Sequence, residues 1–212
     1  MGRRNGARQS GARAAMREHI AAAAARIMAE EGIDDFALAK RKAARRLGAP
    51  ASEALPANEE VEVALREYLA LYQAEEHAER ITELRRIALG AMRALERFKP
   101  YLTGPVLAGL AGHYAEIDLQ LFPENAKEVQ LYLVDLHVPY ETSDARRYTG
   151  DRVREAAVIS LDWQGVPLRL SVFDRRDERL ALKTTPAGRV TARAGIAEVG
   201  ALVEAGDGVR PA

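Results

Sequence analysis

Residues 101–121, Tyr-Leu-Thr-Gly-Pro-Val-Leu-Ala-Gly-Leu-Ala-Gly-His-Tyr-Ala-Glu-Ile-Asp-Leu-Gln-Leu, carry the pattern that decides the fold. Tyr101 to Thr103 reads as a short strand, Gly104 as a turn and Pro105 to Leu110 as a helix start, since proline suits the first helical turn. Ala115 to Phe122 then alternates Glu116, Asp118 and Gln120 with Ile117, Leu119 and Leu121. Period two predicts a half-exposed strand with the polar trio on one face. Two carboxylates at i and i+2 point the same way, close enough to share a hard divalent cation bound through oxygen. A phosphoryl-transfer site needs that arrangement, because its metal ions activate the attacking oxygen and neutralise the triphosphate leaving group. A helix starting after Gly104 would aim the N–H groups of Val106 and Leu107 at those phosphates.

Downstream, Asn125 to His137 reads as a helix packed by Val129, Leu133 and Leu136. Ala157 to Trp163 and Val166 to Phe173 read as a hairpin turning on Gln164 and Gly165. A last helix is predicted from about Thr191 to Glu204. Upstream, the chain reads as all-helical. Met16, Ile20, Ala24 and Ile27 space one helix, stopped at Gly32. Phe36, Ala39, Ala43 and Leu47 space a second, ending at Gly48, and Pro50 to Ala57 is a linker. Asn58 is the predicted cap of a third helix with Val61, Leu65, Tyr68 and Leu69 on its core face. Ile81, Leu84, Ala88, Met92, Leu95 and Phe98 mark a fourth, which Pro100 ends. Five arginines and no acid lie between Gly2 and Arg17, and that composition predicts a disordered basic tail over residues 1–15. The predicted organisation is therefore this tail, a helical region 16–98 and an α+β domain 99–212.

Bulk composition limits the alternatives. The chain has 212 residues, of which 48% are hydrophobic, enough for one or two cores. Lys plus Arg and Asp plus Glu both total 31, so no global imbalance draws the chain to nucleic acid or an anionic surface. With no cysteine, disulfides and thiolate metal sites are excluded, and the default compartment is the cytoplasm. Its apolar runs are too short to span a bilayer, so no membrane partner is expected. The four histidines do not form a metal set; only His113, inside the spacer before Glu116, is placed to approach a nucleotide. No glycine-rich Gly-Lys-Thr/Ser phosphate loop is present.

The segment Gly104-Pro105, ten residues, Glu116-Ile117-Asp118-Leu119 resembles the signature of the DNA polymerase beta-type nucleotidyltransferase superfamily, in particular its small bacterial members. A glycine and two carboxylates at such spacing arise by chance in about one chain in five, but the apolar flanks and the preceding strand cut this to about one in a hundred. Over residues 99–175 the resemblance implies a mixed sheet with helices on one face and a C-terminal helix. It implies magnesium on Glu116 and Asp118 and a nucleoside triphosphate, ATP first, cradled by Gly104, Val106 and Leu107. The implied reaction transfers a nucleoside monophosphate to a hydroxyl on a protein, a small molecule or RNA.

Three departures bear on activity. Pro105 stands where the family has Ser or Gly, removing a hydroxyl and a backbone donor. Glu116 is a methylene longer than the usual Asp. The family's third carboxylate, on a neighbouring strand, has two candidates, Asp162 on the face of Ser160, Arg169 and Ser171, and Asp174 at the strand end. Arg169, Ser171, Lys183 and Thr184 are candidate phosphate contacts. Two other functions compete. One is a nucleotidyltransferase-fold binding partner that has lost catalysis, as in antitoxins of small helical RNases. The other is a helix-turn-helix over Ala14 to Gly48, although the basic run Lys40 to Arg46 reads more readily as a solvated face, so duplex DNA is not the expected partner.

Overall fold

The computed structural model describes all residues except 1, 34, 50–54, 73, 113–114, 150–151, 184–189 and 208–212, with the backbone alone for 2–12, 72, 74–75, 149 and 207. The chain is α+β, and it divides into two compact units. One comprises Met1–His77 with Leu110–Ala115, the other Ala78–Gly109 with Glu116–Ala212.

The first unit is built from helices α1 (Gly2–Glu31), α2 (Phe36–Arg46) and α3 (Asn58–Tyr72). Its core joins Ile20, Ala24, Ile27 and Met28 of α1 to Ala39 and Ala43 of α2 and to Val61, Leu65 and Leu69 of α3, with Leu110 added from the 110–115 segment. Alanine at the contact positions lets the helix axes approach closely, at little side-chain entropy cost. Asp35 caps α2, its carboxylate accepting from the N–H groups of Ala37 and Leu38 at 2.7 and 3.1 Å. Three residues of the basic run on α2 are engaged within the unit: Lys42 and Arg46 pair with Glu31, and Lys40 donates to the Pro56 carbonyl and to Asn58 Oδ1.

Two local expectations change here. The segment predicted as a disordered tail is helical from Gly2, because its alanines, arginines and Gln9 are good helix formers continuing a helix already nucleated by the packed turns from Met16 onward. Asn58 begins α3 with its side chain on Lys40, while Glu60 reaches back to the Ala57 N–H at 2.7 Å.

The second unit holds most of α4 (Ala74–Ala94), a 3-10 turn at Glu96–Phe98, β1 (Tyr101–Thr103), α5 (Gly104–Ala108), β2 (Ile117–Leu121), α6 (Ala126–Asp135), β3 (Tyr140–Thr149), β4 (Arg152–Trp163), β5 (Val166–Val172), a 3-10 turn at Arg175–Arg179, β6 (Arg193–Ala194) and α7 (Ile196–Asp207). The strands form one sheet in the order β3-β4-β5-β2-β1-β6, with β2 and β5 parallel and every other pair antiparallel. The predicted boundary at residue 98 therefore moves to 77/78. Helix α4 belongs with the sheet because Arg85 donates to the carbonyls of Val106 and Leu107 at 3.2 and 2.9 Å, and the Tyr132 hydroxyl of α6 donates to the Ala94 carbonyl at 3.0 Å.

Ile117, Leu119 and Leu121, each at most 1% exposed, point to the apolar face of the sheet with Leu102, Ile159, Leu168 and Leu170. The β4–β5 hairpin forms as its turn residues predict. Gln164 (φ 56°) and Gly165 (φ 80°) both adopt the left-handed conformation that a two-residue type I′ turn requires.

The polar face is less open than the alternation implies. Gln120 is 4% exposed and lines a cleft of about 230 Å³ with Arg179, Leu182, Thr191 and Arg193. Strand β2 is thus interior to the sheet, and the returning chain covers it beyond Asp118. The guanidinium of Arg193 lies over the Tyr101 and Phe122 rings, at 5.0 and 5.5 Å to their centroids. Glu178 ties this region to β1, accepting from Lys99 Nζ at 2.8 Å and from the Tyr101 hydroxyl at 3.0 Å. Those bonds, with Lys99 foremost, hold its carboxyl below the ordinary glutamate range. Because the folded pKa is lowered, the stabilisation is complete above the ordinary glutamate range and is lost as pH falls through the folded value. Glu178→Gln is therefore expected to cost about 1 kcal/mol at neutral pH. In urea titrations the gap to the wild type should close as the medium is acidified.

Candidate functional site

Gly104 follows β1 with φ +71°, a conformation that glycine adopts without strain. A Cβ built there would stand 2.7 Å from Oδ2 of Asp118. Thr103 and Asp118 are register partners, and the Thr103 hydroxyl donates to the Asp118 carbonyl at 3.3 Å. The glycine turn and the second carboxylate are therefore in direct contact, which accounts for glycine at this position. Val106 and Leu107 occupy the first turns of α5, and Gly109 ends it with φ +72°. Arg85 fixes the far end of this helix through its two carbonyl contacts, and burial pushes that guanidinium's pKa down.

On the other side of β2, Asp118 is the register partner of Arg169 on β5. Arg169 Nε donates to Asp118 Oδ1 at 2.7 Å, and its Nη1 stands 3.3 Å from Glu116 Oε2. One planar guanidinium thus bridges the two predicted metal ligands. The Asp118 side chain is 18% exposed and that of Glu116 47%. Arg147 of β3 is half-buried, six residues along its strand from Glu141, which shares the sheet row of Asp118 and Arg169. Burial lowers its pKa first, the Arg169 guanidinium lowers it further and Asp118 raises it, so it shares the field of both residues.

The remaining predicted residues are placed differently. Asp162 lies on β4, two strands from β2, and its Oδ1 accepts the Gly165 N–H at 2.8 Å in the hairpin turn. At about 4.8 Å per strand it is roughly 10 Å across the sheet from the row of Glu116. Asp174 accepts from the Arg176 N–H at 2.8 Å and starts a 3-10 turn. Both carboxylates serve turns, and neither residue is a register partner of β2. On β5, the strand next to Asp118, the residues sharing its face are Pro167, Arg169 and Ser171. Ser171 is buried beside Gln120. Lys183 pairs through its backbone with Tyr148, the neighbour of Arg147, and with Val190. His113 and Thr184 lie outside the described residues.

Among the described residues no group of three or more His, Cys, Asp or Glu side chains comes together as a metal cage. The donor set at Glu116 and Asp118 still suits magnesium, which is commonly held by one or two carboxylates with substrate phosphates completing the octahedron. Sequence patterning groups Arg169 with Ser171 on one face of β5, and the register brings that face beside Asp118. Patterning gives no sign of Arg147, whose strand lacks a hydrophobic period. No helix among the described residues is long and apolar enough to cross a membrane. No model of a protein family matches the chain, and no curated protein matches it.

Proposed function

We propose that the second unit is a nucleotidyltransferase-like domain that takes a nucleoside triphosphate with magnesium at Glu116 and Asp118 and passes its nucleoside monophosphate to a hydroxyl acceptor, with pyrophosphate as the leaving group and loss of the hydroxyl proton. The observation that carries this reading is the approach of Gly104 to Asp118, 2.7 Å from its would-be Cβ to Oδ2. It joins a glycine turn, a helix start and paired carboxylates in the arrangement this chemistry uses. Magnesium held there would supply charge neutralisation at the triphosphate. Glu116 and Asp118 would orient it, and Gly104 leaves room for phosphate beside the first turn of α5. ATP is the first nucleotide to test, and a protein or RNA hydroxyl the acceptor class.

A second reading, a nucleotidyltransferase-fold partner protein without turnover, is favoured by one observation. Arg169 occupies the β5 position facing Asp118, where the third acid would be needed. Incubation of the chain in cell extract with magnesium and ATP labelled on the α-phosphate separates the two. Label on a protein or RNA that disappears with Asp118→Ala supports transfer. Labelling that is absent, or that persists in the variant, rejects it.

A further inference from the structure

The carboxylate pair already holds a cation, and that cation is part of the chain. The Arg169 guanidinium reaches Asp118 Oδ1 at 2.7 Å and Glu116 Oε2 at 3.3 Å. It cannot withdraw by a backbone shift, because β5 is fixed in parallel register with β2 on one side and antiparallel to β4 on the other. Only rotation of the side chain releases it, and its 42% exposure leaves room for that. A divalent ion brought to the same two carboxylates would meet a fixed positive charge within a few ångströms, at an unfavourable Coulomb energy unless that charge turns to another partner. An incoming polyphosphate is such a partner, since the guanidinium fork matches phosphate as well as carboxylate.

We propose that Arg169 competes with divalent metal for Glu116 and Asp118, so that the site resists free metal and accepts metal only together with an anion that draws the guanidinium away. This rests on the reading of the site as a nucleotide site for the identity of the anion alone. Arg169 acts here as a positioning residue. It keeps two like charges side by side in the absence of ligand and sets the order in which ligands enter.

The test uses the full chain and Mn2+ as the probe, followed by calorimetry or by the ion's paramagnetic resonance signal. Arg169→Ala is expected to tighten Mn2+ binding at least tenfold in the absence of nucleotide. Arg169→Gln, which keeps much of the stem and a donor, is expected to do the same and guards against loss of fold. Arg169→Lys restores a cation and is expected to return the affinity to near the wild-type value. Adding ATP should tighten Mn2+ binding to the wild type more than to the alanine variant. Mn2+ affinity that is unchanged or weaker in both neutral variants overturns the proposal, whatever ATP does. Tighter Mn2+ binding in those variants, with ATP bound by no form of the protein, supports the competition and rejects the nucleotide reading separately.

Discussion

Gly104→Ala is expected to destabilise the second unit by about 2–4 kcal/mol and to weaken nucleotide binding at least tenfold. Two costs combine. The residue sits at φ +71°, which charges an L side chain about 1–2 kcal/mol. Its new Cβ would also fall 2.7 Å from Asp118 Oδ2, closer than such contacts allow. Neither neighbour yields readily, because Asp118 is held by Arg169 from the other side and β2 is paired on both edges. Gly48→Ala is the matched control. It shares the positive φ, +63°, but has nothing within 4 Å of the added Cβ, so it should cost about 1 kcal/mol and leave nucleotide binding unchanged. Urea titration of both variants, with calorimetric titration of ATP, separates backbone strain from close approach. Equal losses in the two would show that contact with Asp118 contributes nothing.

Leu119→Ala is expected to cost about 3 kcal/mol, within the usual range for a buried leucine whose neighbours cannot close the gap. Leu119 is 1% exposed and lies between Leu102 of β1 and Leu170 of β5 in the sheet register. Collapse there would require three strands to move together. Leu131→Ala, at a leucine 63% exposed on α6, should stay within about 0.5 kcal/mol. Denaturant midpoints for the pair check whether β2 anchors this core. A small loss at Leu119 would mean that the apolar face of β2 is not what holds the sheet.

The strand, glycine turn, short helix and strand over residues 101–121 are legible in the sequence because each carries its own local signal. Tyr101 to Thr103 is extended, Gly104 and Pro105 punctuate, and residues 115–122 alternate. The β4–β5 hairpin is legible for a similar reason, since Gln164 and Gly165 can both take positive φ.

Strand β3 is not legible. It is an edge strand, exposed over Glu141 to Asp144, and it forms through a ten-residue pairing with β4 that no local period announces. With β3 hidden, Arg147 is hidden too. Strand β6 has two residues, too few for any period, so the predicted last helix begins at Thr191 where the structure starts α7 at Ile196. The unit boundary fails for another reason. The apolar spacing of α4 has the same form as that of α1 and α3, and periodicity does not state which core a helix will join.

At the site, the sequence places Glu116 with Asp118 on one strand face and Arg169 with Asp162 and Ser171 on another strand's face, but not the contact between the two faces. That contact depends on the parallel register of β2 and β5, strands 45 residues apart from the end of one to the start of the other. Strand pairing alone does not announce that Asp162 has a local use for its carboxylate, which accepts the Gly165 N–H in the hairpin turn.

Whether Glu116 and Asp118 hold a metal-bound nucleotide is decided by calorimetric titration of ATP in magnesium against the wild type and Asp118→Asn. Saturable binding to the wild type is expected, weakened at least tenfold by the substitution while the thermal melt stays cooperative. Absence of binding to the wild type, or equal binding by the variant, would contradict that role for the pair.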